Sequence, residues 1–69
     1  MSKYEMRITW DNEDEIFVAF VPQLEGCMSH GKTREEAIAN AEDAIGAWIE
    51  VAQEFGHEVP EPITYDQIA

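Results

Sequence analysis

The chain has 69 residues and carries 15 acidic side chains against four cationic ones, a formal net charge of −11. So short a chain makes one domain that buries only about 60% of the surface its unfolded form exposes, while a hydrophobic fraction of 45% is too rich for disorder. The charge argues against direct contact with nucleic acid or an anionic membrane, whose phosphates it would repel.

No apolar run approaches the roughly 18 to 20 residues that span a bilayer, and the opening MSKYEMRITW lacks the apolar centre of a signal peptide. Cys27 is the only cysteine, which excludes an internal disulfide and fits a reducing compartment. These facts set the expectation of a cytoplasmic domain that self-associates, since small cores are often completed by a second copy. The acidity leaves two readings open: adaptation to solubility or high salt, or complementarity to a basic partner.

In chain order, Tyr4, Met6, Ile8 and Trp10 alternate with Glu5, Arg7 and Thr9, the period of a strand with one wet face. Asp11 to Glu15, DNEDE, is a polar turn. Ile16 to Val21, IFVAFV, is a second strand, apolar on both faces and ended by Pro22, which cannot donate to a ladder. PQLEG is a loop, and CMSHG is a short third strand leading through Gly31 into Thr33. Thr33 with Glu36 makes a capping box, so a helix is predicted from Arg34 to Phe55 with Gly56 as its stop. Its stripe from Ala37 to Phe55, about 140° wide, includes Ala41, Ile45, Trp48 and Ala52 and reads as a core face. Val59 and Ile63 are candidates for a short return strand, held to an edge by Pro60 and Pro62. The order predicts an α+β fold: a three-stranded antiparallel sheet, with a candidate short fourth strand, packed on one long helix.

Catalytic and metal chemistry find no support in these residues. The acidic turn fails as a calcium loop because Ile16 stands where its glycine belongs. Cys27, His30 and His57 are one ligand short of a structural zinc set. Cys27 and His30, three residues apart on a strand, point to opposite faces and make no nucleophile–base pair. Glu35 and Glu36 at the helix start would repel phosphate. A vestigial metal-dependent nuclease would need carboxylates gathered from several elements, and the first strand offers only Glu5. No enzyme activity, cofactor or metal is expected.

Two features point to binding. One helix covers one face of a sheet, yet the second strand is apolar on both. The remaining face requires a second copy, another protein or the chain's own C-terminal tail, and Phe17, Ala19 and Val21 are the expected oligomer contacts. The helix also exposes Glu35, Asp43, Glu50 and Glu54 with few cationic neighbours. Glu50 and Glu54 are an unfavourable i,i+4 pair near the helix C-terminus, where negative charge opposes the macrodipole. Asp43, Glu50 and Glu54, with Asp11 and Asp14 of the turn, are the expected contacts for a basic protein.

The ordered series Val21-Pro22, Leu24, Gly26-Cys27, Ser29, Gly31, Thr33, Glu35-Glu36-Ala37, Asn40, Ala44-Ile45 and Pro60-Glu61-Pro62 closely resembles the HicB-like antitoxin family, from Tyr4 to Pro62. The resemblance implies a partial ribonuclease H-like fold without nuclease activity. It also implies a partner, a small basic HicA-type toxin that cleaves mRNA and whose active surface the antitoxin masks. Gly31 would supply the turn and Thr33 the cap of the strand-to-helix passage. Many relatives continue into a DNA-binding domain, whereas residues 1–69 read as one HicB-like domain without one, so operator binding does not carry over. The alternative is a stand-alone, self-associating domain with a different protein partner.

Overall fold

In a computed structural model describing residues 2–69, three strands and a long helix form two layers. Strands β1 (Arg7–Asp11), β2 (Ile16–Phe20) and β3 (Met28–Gly31) make an antiparallel sheet in the order β1-β2-β3. Helix α1 (Arg34–Glu54) lies across one face, and a single turn, α2 (Tyr65–Ile68), follows the proline segment.

The β1–β2 hairpin is set by its acidic turn. Asp11 Oδ1 accepts from the Glu13 and Asp14 amides at 2.9 and 3.3 Å, and Glu15 takes φ 52° to return the chain into β2. The ladder pairs Arg7 with Phe20, Thr9 with Val18 and Asp11 with Ile16. Tyr4 to Met6 lie outside β1, contrary to the longer strand expected. The cause is the end of β2: in this register Glu5 would face Pro22, which has no amide to donate, so the ladder stops at Arg7. Tyr4, Met6 and Ile8 still pack on the helix side as their alternation predicts, whereas Trp10 is 48% exposed.

The VPQLEGC passage is two consecutive turns. Leu24 donates to the Val21 carbonyl at 3.1 Å and Cys27 to the Leu24 carbonyl at 2.9 Å. Gly26, φ 77°, holds the third position of the second turn, where a type II turn needs a positive φ. Leu24 is thereby driven into the core at 0% exposure, with Val21, Cys27 and Ile45. Gly31 plays a different part from the turn expected of it. A Cβ there would stand 2.5 Å from the Ala37 amide nitrogen, so its bare backbone lets β3 approach the helix.

Helix α1 begins at the predicted cap, where Thr33 Oγ1 accepts from the Glu36 amide at 3.1 Å; the Glu36 carboxylate accepts from the Lys32 amide at 3.2 Å, one residue before the cap, in place of the Thr33 amide that a capping box would use. It ends in a Schellman motif, the His57 amide on the Ala52 carbonyl and the Gly56 amide on that of Gln53, with Gly56 at φ 71°. Ala37 and Ala41 meet Ala19, three small residues that bring helix and sheet into close contact. Asn40 donates to the His30 carbonyl at 2.8 Å and Trp48 to the Glu25 carbonyl at 2.9 Å, tying the β3 side of the sheet to the helix.

No fourth strand forms among the described residues. Pro60 and Pro62 offer no N–H to a ladder. Thr64 instead starts α2, its amide bonded to Gln67 Oε1 at 2.8 Å. The tail is fastened by Tyr4 Oη donating to the Pro60 carbonyl, and by Gln23, which bonds the Glu61 carbonyl and the Ile63 amide. Helix α2 packs on neither the strands nor α1.

Candidate partner-binding surface

Residues directly opposite in the ladder share a face, so the sheet divides cleanly. Phe17, Ala19 and Val21 face the helix, with Ala19 at 0% and Val21 at 2% exposure. Phe17 is engaged in the same layer: Trp10 packs on it edge-on at 5.0 Å and the Arg34 guanidinium lies 4.7 Å from its centroid. Of the three residues expected at an oligomer contact, Ala19 and Val21 are buried within the single chain and Phe17 is half-buried on the helix side. The apolar row on the opposite face is the alternate set, Ile16, Val18 and Phe20, each half-buried.

On the other layer a groove of about 450 Å³ runs between the Gly26–Met28 segment and the C-terminal half of α1. Its helix wall is Ala44, Ala47, Trp48, Val51, Ala52 and Phe55, and His57 stands at its end. Val51, Phe55 and Met28 are largely exposed, Phe55 at 69%. An apolar lining this open is uncommon on a small chain unless something seats there. Ala47 and Val51 lie outside the predicted core stripe. Their signal in the sequence was an apolar arc wider than one sheet face needs.

Asp43, Glu50 and Glu54 fall within about 40° of one another at ~100° per residue, directly beside the Ala47–Val51 side of the groove. Helix α1 has acidic residues in its first turn and no basic residue in its last. The sequence-predicted acidic set is thus divided. Asp43, Glu50 and Glu54 line one border of the groove. Asp11 and Asp14 belong to the β1–β2 turn, beside the helix N-terminus, where Phe17 meets Gly31 in the ladder. Arg34 to Glu50 alone spans about 24 Å of helix at ~1.5 Å per residue. Asp11 is also occupied in bracing its own turn.

The nucleophile candidates separate as expected. Cys27 is buried, and burial raises its thiol pKa, the opposite of an activated thiolate. His30 is exposed and pairs across from Val18, on the sheet's open face. Glu5 lies 3.6 Å from Arg7 in an exposed ion pair. Among the described residues no three His, Cys, Asp or Glu side chains converge as a metal site, and no helix is long and apolar enough to cross a membrane.

The family model described as the HicB-like antitoxin of bacterial toxin–antitoxin systems matches residues 4–69. A UPF0150 protein of Thermoplasma acidophilum is 43% identical over 58 residues, covering 84% of this chain and 83% of that protein. A UPF0150 protein of Helicobacter pylori is 41% identical over 39 residues, 56% of this chain and 54% of its own length. One from Synechocystis is 56% identical over 37 residues, 54% of this chain and 47% of its own length. No solved structure gives a significant match. With the family model spanning all but the first residues, and a relative similar over most of both chains, this chain belongs to the HicB-like antitoxin family.

Proposed function

We propose that this chain is the antitoxin half of a toxin–antitoxin pair, and that it binds and masks a small basic HicA-type toxin by seating an apolar anchor of that toxin in the α1 groove. Family membership supports the general role. The observation that carries the binding mode is the groove with its acidic border: Val51 and Phe55 offer apolar area, and Asp43, Glu50 and Glu54 offer charge to a cationic rim. A surface shaped to receive RNA phosphates is basic, so an acidic protein is suited to occupy it. Masking requires occupation alone, so no bond need be made or broken by this chain.

Glu50→Lys with Glu54→Lys should weaken capture of a HicA-type toxin by tenfold or more, mainly through slower association at physiological salt. Affinity should also fall as salt rises, because charge supplies part of it. Val51→Asp should abolish capture. Unchanged affinity in all these variants would remove the groove from the site. A second reading, a self-associating domain with another protein partner, is favoured by the apolar outer face of β2. It predicts no affinity for such a toxin.

A further inference from the structure

The two edges of the sheet are unlike. In an antiparallel ladder, residues that exchange both backbone bonds with a neighbouring strand alternate with residues whose N–H and C=O point away from it. The Val21 amide donates to the Cys27 carbonyl, which continues the β2–β3 register, so odd-numbered residues of β2 turn toward β3 and even-numbered ones toward β1. Arg7, Thr9 and Asp11 therefore bond to Phe20, Val18 and Ile16, while Ile8 and Trp10 direct their backbone groups outward. On β3 the outward residues are Met28 and His30, and there α1 reaches the edge: Asn40 donates to the His30 carbonyl at 2.8 Å. On β1, among the described residues, the N–H and C=O of Ile8 and Trp10 take no partner. Edge strands are commonly blunted by proline, a bulge or free charge. β1 has neither proline nor bulge, and its Arg7 is engaged by Glu5 at 3.6 Å.

We propose that the β1 edge receives an extended segment of a basic protein, added antiparallel to β1 as a fourth strand. This surface is separate from the α1 groove, whose lining contains no β1 residue, and it does not rest on the toxin reading. The chain's own tail cannot fill it, because Tyr4 and Gln23 hold residues 60–63 elsewhere and Pro60 and Pro62 offer no N–H. The occupant follows from charge. β1 starts behind Lys3 and Arg7 and runs into Asp11, Glu13, Asp14 and Glu15. An antiparallel segment enters beside those carboxylates, so cations at its start are attracted, whereas any partner as acidic as this chain is repelled. One residue of the segment lies across from Trp10 and one across from Ile8, and each exchanges both backbone bonds with its opposite. The residue between them lies across from Thr9, its side chain on the other face of the sheet. Trp10, 48% exposed, offers ring area to an apolar side chain at the first of these positions. Two pairing residues make a short ladder, so the charge at the turn decides which segments bind.

Amide hydrogen exchange, followed by nuclear magnetic resonance on the full isotope-labelled chain, tests the proposal with the blocked peptide Lys-Lys-Val-Thr-Val-Thr as probe. In the free chain the Ile8 and Trp10 amides should exchange at least ~10-fold faster than that of Thr9, which the ladder protects. The peptide should slow those two amides and shift their resonances. Methylating both valine nitrogens deletes the strand's donors, keeps its charge, and should abolish the effect. Glu13→Lys with Asp14→Lys, exposed changes in the turn, should weaken binding about tenfold. Glu50→Lys with Glu54→Lys should leave the protection pattern in place, so loss of toxin capture and loss of strand addition are separable. Unslowed Ile8 and Trp10 amides at millimolar peptide, or equal slowing by the methylated peptide, would overturn the proposal. So would protection that appears without peptide and grows with chain concentration, which would give the edge to a second copy.

Discussion

Gly31 is the residue on which the two layers meet. With a Cβ 2.5 Å from the Ala37 nitrogen and 2.8 Å from the Glu36 carbonyl carbon, Gly31→Ala must push backbone from backbone, since no flexible side-chain end can yield. The expected cost is about 2 to 3 kcal/mol, a large share of the stability of so small a domain, and urea denaturation would measure it. Glu15 is the reverse case. Its φ of 52° is a left-handed conformation for a side-chain-bearing residue, so Glu15→Gly should raise stability by up to about 1 kcal/mol. That is a gain of several degrees in Tm for a domain this size. Failure of Tm to rise would show that the turn is not strained.

Cys27 gives a pH dependence of definite sign. Burial raises its thiol pKa above the ordinary value of 9.0, so the folded state holds the proton where the unfolded state releases it. The stabilisation linked to this proton is complete below pH 9.0 and is lost as pH rises through the elevated folded value. Denaturation midpoints should therefore fall on the alkaline side. Cys27→Ala, which keeps a small apolar side chain in the pocket, should flatten that fall. An identical alkaline slope in both proteins would assign it to other groups.

Helix α1 has a well-made start and a poorly charged end. Thr33→Ala removes the acceptor for the Glu36 amide and should cost about 1 kcal/mol. Glu54→Lys should do the opposite. It converts the Glu50–Glu54 repulsion into an i,i+4 attraction and places a cation in a last turn that has none. Each change contributes a few tenths to about 1 kcal/mol. The same substitution should weaken toxin capture. Higher thermal stability joined to lower affinity is the signature of a helix shaped by its partner, and a loss of both would contradict it.

For the whole molecule, charge is the dominant property. A net charge of −11 repels itself within one chain as well. Thermal stability should therefore rise with sodium chloride up to about 0.5 M, where the Debye length is near 4 Å. Capture of a basic protein should weaken over the same range. Stability that rises while capture falls would mark the same charges as acting within the chain and toward its partner.

The elements themselves were legible in the sequence because local rules fix them. Period-two alternation gave β1, Thr33 with Glu36 and then Gly56 bounded α1, and the ordered glycine, proline and cap residues carried the family resemblance. These signals depend on neighbours within a few residues. What failed depended on distant ones. IFVAFV is apolar on both sides, so its sequence alone cannot say which row meets the helix; the Ala19 contact with Ala37 and Ala41 decides it. The function of Gly31 is set by a helix that begins after it, and the grouping of Asp43, Glu50 and Glu54 with a groove needs the Gly26–Met28 segment alongside. The sequence by itself determined the family, the three strands with the long helix, and the charge. Only the tertiary structure decided which faces remain open, because a face is closed by whatever packs against it, and that contact is made between residues far apart in the chain.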